Sequence, residues 1–182
     1  MPENTTSSTR SSPIDGPDEG WNVPACGALT DWPDYELLDF GAGRRLERFG
    51  PWIVDRPAAG AVLPQADPAR WDRAHARYQG SRGGQGVWHC RESLPDAWTV
   101  AWRDLRFELK LNPSGQVGLF PEHAVDWAVA RWLLRSAEGK RILNLFAYTG
   151  GATLAAAQAG AEVFHVDAAR NIVAWAARNA EL

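Results

Sequence analysis

Cysteine is almost missing from this chain: Cys26 and Cys90 are the only two among 182 residues, and they form no C-x-x-C pair. That argues against a disulfide framework and a zinc site, and it suits a reducing cytoplasm. No stretch approaches the roughly 18 consecutive apolar residues of a membrane span. The amino terminus, MPENTTSSTRSS, has no basic stretch leading into an apolar core, so no secretory leader is expected. His75, His89 and His165 have no partner at ligand spacing and read as ordinary histidines, so no metal is expected.

Net charge is also small, at −3, but it is unevenly spread. Residues 1–39 hold eight acids and one base, residues 40–110 twelve bases and eight acids, and residues 111–182 six of each. A basic middle beside an acidic tail suits a nucleic-acid backbone, or is simply an arginine-rich solvated surface. Ten tryptophans leave a similar choice. Trp52, Trp71, Trp88, Trp98 and Trp102 stand among arginines and either stack bases or fill a core, the commoner fate. Gly41-Ala42-Gly43 before Arg44 and Arg45 lacks the Lys-Ser/Thr ending of a phosphate loop and reads as a turn.

Three parts follow from the patterning. Residues 1–33 are rich in Ser, Thr, Pro, Gly and Asp, too poor in aliphatic residues to offset the entropy of ordering, and are expected to be a disordered tail. Residues 34–120 read as a small β-rich region. Its clearest strand runs from Leu105 to Leu111, where Leu105, Phe107, Leu109 and Leu111 alternate with Arg106, Glu108 and Lys110. Asn112-Pro113-Ser114-Gly115 is a turn, and Gln116 to Phe120 is the expected partner strand. Residues 121–182 read as α/β. Pro121 suits the first position of a helix, Glu122 its positive end, and Gly139 its stop.

Residues Arg141 to Asp167, RILNLFAYTGGATLAAAQAGAEVFHVD, carry the functional signal. They read as a buried strand, a turn Ala147-Tyr148-Thr149-Gly150-Gly151, an alanine-rich helix closed by Gly160, and a second strand. That strand ends on Asp167, 17 residues after Gly150. In a parallel sheet both strand ends lie at the carboxyl edge, where open α/β folds bind ligands. Glycine allows close approach, a helix start offers free N–H groups, and a carboxylate accepts from a ribose diol. The segment therefore reads as a nucleoside-cofactor site. Phe146-Ala147-Tyr148-Thr149-Gly150-Gly151 places bulky residues where a dinucleotide fingerprint has its first glycines, so a pyrophosphate cradle is poorly supported.

The N-L-F-A-Y-T-G-G run and the spacing to Asp167 resemble the class I S-adenosylmethionine (SAM)-dependent methyltransferases. Within them, these residues look like the subgroup related to bacterial large-subunit ribosomal RNA methyltransferases. DYELLDFGAGRRLERFGPWIVDRP and GQVGLFPEH resemble the upstream part of the same subgroup. The resemblance implies a Rossmann-like domain, SAM as cofactor and RNA as partner. It implies that Phe146, Ala147, Tyr148, Thr149, Gly150 and Gly151 line the methionine and ribose side. Asp167 would take the ribose hydroxyls and Ala168 would lie under the adenine. Glu122 and His123 are candidates on the donor side. Asn144 stands where many such enzymes have an acid, which puts that contact in doubt. Tyr148 is alternatively packing, and Asp167 alternatively a helix cap.

Only two of the seven strands implied by the resemblance occur before Leu182. The chain is expected to be a fragment, or a short protein that completes its sheet with a partner, and its last helix to be poorly held. The group that activates the acceptor, a cysteine or a Pro-Pro motif, is expected beyond Leu182, so no catalytic residue is named. Two rival readings stay open: a non-catalytic RNA-binding scaffold, and a nicotinamide-dependent oxidoreductase.

Overall fold

The computed structural model describes residues 32–80, 86–135 and 139–182. The expected tail, and Cys26 within it, therefore lies outside the described residues apart from Trp32 and Pro33. Trp32 is no tail residue: it is buried, and its indole N–H donates to the Ala101 carbonyl at 2.6 Å. A single aromatic thus brings the edge of a polar stretch into the core.

An antiparallel meander opens the fold: β1 (Tyr35–Gly41), β2 (Arg44–Phe49) and β3 (Trp52–Pro57). The β1–β2 hairpin turns on Ala42 and Gly43, both at positive φ (51° and 75°), as a type I′ turn demands. The Gly-Ala-Gly stretch is a turn, as expected. After the short helix α1 (Pro68–Trp71), β4 (Ala76–Gln79) joins β3 in parallel, and β5 (Val87–Cys90) closes a five-stranded sheet.

A second hairpin follows, and here the sequence expectation needs correction. β7 (Leu105–Leu109) pairs with β6 (Trp98–Trp102), not with Gln116–Phe120. The Asn112–Gly115 turn does form, with Gly115 donating to the Asn112 carbonyl at 2.9 Å. Beyond it only two backbone bonds, from Lys110 to Val117 and from Asn112 to Gln116, link the arms before the chain bends away. The competing signal was the period-two set Trp98, Val100 and Trp102, all buried, with a two-residue turn in which Arg103 takes φ 55°.

Pro121–His123 forms a 3-10 turn that leads into α2 (Ala124–Leu134). The expected stop, Gly139, adopts φ 74° five residues past the helix. Then come β8 (Arg141–Leu145), α3 (Gly151–Gln158), β9 (Glu162–Val166) and α4 (Arg170–Ala180). β8 and β9 pair in parallel through α3, a βαβ unit of Rossmann type.

One apolar core spans the β-rich region and the βαβ unit. Trp127 of α2 sits within 5.4 Å of the Trp102 and Phe107 rings and 6.0 Å of Trp32. Of the five tryptophans with two possible fates, Trp71, Trp98 and Trp102 are buried, and Trp52 and Trp88 pack partly buried against the core. The outer face of the two-stranded sheet differs: Leu143, Leu145, Phe164 and Val166 are all exposed.

α4 is held, contrary to expectation. Trp175 is buried and donates to the Glu108 carbonyl at 2.9 Å. Asn179, also buried, accepts from the Glu108 amide and donates to the Thr149 carbonyl, both at 2.8 Å. Arg178 pairs with the Glu108 carboxylate at 2.8 Å and holds its pKa below the ordinary 4.5. A carboxylate with a depressed folded-state pKa stabilises fully above its ordinary value, and that contribution is lost as pH falls through the folded value. Protection of the α4 amides against hydrogen exchange, after correction for the intrinsic rate, is therefore expected to fall below pH 4.5. In Glu108→Gln this acid step should be missing.

Candidate functional site

The carboxyl ends of β8 and β9 lie side by side, and the β8–α3 turn folds over them. The turn is strained: Phe146 and Tyr148 take φ 54° and 49°, uncommon for bulky residues, and Gly150 takes φ 99°. Its amides point inward. Ala147 donates to the Val166 carbonyl at 3.0 Å, and Gly150 to the Ala147 carbonyl at 3.1 Å. Tyr148 donates to Asp167 Oδ2 at 3.0 Å.

Asp167 therefore braces the turn. Its Oδ1 accepts from the Ala169 amide at 3.0 Å, and these N–H donors, Ala169 first and then Tyr148, hold its pKa below the ordinary carboxylate value. The N-cap of α4 is Ala169, with no side-chain cap bond, so Asp167 is not a helix cap. Each oxygen keeps a second lone pair, and the side chain is half-buried rather than sealed. It remains able to receive a diol.

The two glycines have separate reasons. Gly150 is needed for its backbone conformation. At Gly151 a Cβ would lie 2.5 Å from the Trp127 ring, so glycine there lets α3 pack on α2. Thr149 is buried, donates to the Gly118 carbonyl at 2.6 Å, and ties the turn to the G-L-F-P-E-H segment. Phe120 of that segment lies 4.8 Å from the Tyr148 ring, and burial raises the Tyr148 phenol above its ordinary pKa.

These two segments enclose a pocket of about 280 Å³. Of the candidate residues, His123, Asn144, Phe146, Ala147, Tyr148, Thr149 and Gly151 line it. Asp167, Ala168 and Gly150 lie outside this wall, Asp167 adjoining it through Tyr148 and Ala168 exposed in the bend after it. Glu122 is on another cleft, with its carboxylate 3.4 Å from Arg45. Asn144 donates to Thr153 Oγ1 at 2.8 Å, and that hydroxyl meets His165 Nδ1 at 2.9 Å. The Phe146 ring, 92% exposed, stands at the mouth.

Sequence reading missed Phe120, Asp126 and Trp127 on the same wall. Asp126 lies one helical turn from His123 and meets its Nδ1 at 2.8 Å, a spacing visible in P-E-H-A-V-D. Cys90 is exposed and is not among the residues that line this pocket. Among the described residues no group of three or more His, Cys, Asp or Glu is placed to hold a metal, and no helix is long and apolar enough to cross a membrane.

With this geometry in place, similarity to known proteins decides the family. Residues 65–182 match the family model for the S-adenosylmethionine-dependent methyltransferases. The chain belongs to that family. It is 43% identical over 170 residues to the ribosomal RNA large subunit methyltransferase K/L of Magnetococcus marinus, covering 84% of this chain and 22% of that protein. The namesake from Allochromatium vinosum is 44% identical over 167 residues, with the same coverages. Among solved structures, a SAM-dependent methyltransferase from Agrobacterium tumefaciens is 38% identical with a TM-score of 0.76, covering 81% of this chain and 48% of that one. The chain thus spans about a fifth of the length of the curated relatives it matches, and about half of the solved one.

Proposed function

We propose that this chain carries the donor-binding half of a methyltransferase that modifies a base of RNA, ribosomal RNA by the likeness of its relatives. The observation that carries the reading is the inward aim of the turn amides. With Ala147, Tyr148 and Gly150 already bonded within the protein, the turn has few N–H groups left for a pyrophosphate, whereas a carboxylate stands ready at the next strand end. That combination suits a nucleoside cofactor without phosphates. The bulky Phe146 and Tyr148 side chains point the same way, away from a nicotinamide dinucleotide.

When bound, SAM supplies an electrophilic sulfonium methyl group. What this chain contributes is position, since in-line displacement gains most of its rate from holding donor and acceptor in register. Asp167 would take the ribose diol through its free lone pairs. Tyr148, Thr149 and Phe120 would wall the pocket, and Asn144, pinned by Thr153, would present its amide oxygen from the floor. The residues fit the group.

Calorimetric titration of Asp167→Ala with SAM is expected to show binding weaker by about 1.5–3 kcal/mol, the worth of charge-assisted hydrogen bonds. Unchanged affinity would mean that Asp167 serves only the turn. A methylation assay run beside filter binding to ribosomal RNA separates the enzyme from a scaffold, because a scaffold retains RNA without incorporating methyl groups.

A further inference from the structure

A second cleft, of about 960 Å³, opens on the β1–β2 face next to the donor pocket. The two meet at the 3-10 turn, where Glu122 lines the larger cleft and its chain neighbour His123 the smaller. We propose that this cleft receives an unstacked nucleotide of single-stranded RNA and presents its base toward the donor pocket, a site that rests on the methyltransferase reading above.

Its composition suits that ligand. Phe40, about half exposed, offers the aromatic face that base stacking requires, and Leu37, also about half exposed, adds apolar surface. Arg45 and Arg48 supply guanidinium donors for a base edge or a phosphate. Their carboxylate partners in the cleft, Glu122 and Glu36, are themselves exposed and stand 3.4 Å away, loose enough for a ligand to replace.

The floor, by contrast, is rigid. Glu47, fully buried, accepts from Arg56 at 2.5 and 3.1 Å and from the Tyr35 hydroxyl at 3.1 Å, and lies 3.2 Å from Arg45 Nε. Gln116 accepts from the far side of Arg56 at 2.8 Å. Burial and the Glu47 carboxylate push the Tyr35 phenol far above its ordinary pKa, so it stays a donor. Tyr35 is thereby fixed before any ligand arrives, which lowers the cost of ordering on binding.

One exposed side chain, Phe40, and one partly exposed, Arg48, give a test outside the buried core. Phe40→Ala and Arg48→Ala are each expected to weaken binding of a short fluorescein-labelled single-stranded RNA about tenfold, read by anisotropy, with melting and SAM affinity as in the parent chain. Parental RNA affinity in both variants would overturn the assignment of the cleft, as would a parent chain that binds no RNA. RNA binding that depends on Phe40 and Arg48 in a chain that does not bind SAM would uphold the cleft and remove the donor reading instead.

Discussion

Replacing Trp175 by alanine is expected to cost about 3–5 kcal/mol of stability, the range for emptying a buried aromatic site. The reason is how little else α4 has. Trp175 is 2% exposed, its indole N–H is bonded to Glu108, and the Lys110 ammonium lies 4.3 Å from the ring centroid. Its ring fits against Gly118 so closely that a Cβ there would stand 2.3 Å from it. Removing the ring leaves Ala176 and Asn179 as the other buried residues of the helix. Urea unfolding would report the loss, and hydrogen exchange would place it in residues 170–180. Loss confined to exchange, with global stability unchanged, would show α4 opening on its own. Asn179 also holds the Thr149 carbonyl, so SAM affinity should fall with the helix.

Glu47→Ala should be comparably damaging, at about 3–5 kcal/mol, because it leaves a buried guanidinium without its partner. Arg56 is 1% exposed, and its bidentate bond to Glu47 is its main compensation for desolvation. Gln116 alone supplies one further acceptor. The double replacement Glu47→Leu with Arg56→Met is expected to recover most of the loss, since well-packed apolar residues often match a buried pair. A double variant as unstable as the single one would mean that the damage lies in packing rather than in the orphaned charge. RNA affinity should stay low in the double variant, because the Tyr35 hydroxyl loses its acceptor and Arg45 its neighbouring carboxylate either way.

The parts of the fold legible in sequence were those set by local chemistry. The βαβ unit, the Asn112–Gly115 turn and the Gly41–Gly43 turn each announce themselves through periodicity or a residue with a special φ. The turn residues of the donor site were legible for the same reason, as one contiguous motif. What escaped were long-range choices. β7 had two candidate partners, and the burial of Trp98, Val100 and Trp102 selected the upstream one. α4 looked loose because its anchor, Glu108, is 70 residues away in sequence. Gly151 does line the pocket, but that its lack of a side chain also serves Trp127 was not legible. Glu122 and His123 are adjacent in sequence and so read as one site, but the 3-10 turn sends them into different clefts.

Parallel calorimetric titrations of the chain with SAM and with NAD test the central claim most directly. A donor pocket without an anion cradle predicts saturable one-site binding of SAM, and no heat from NAD at the same concentrations. Binding of NAD in preference to SAM would contradict it.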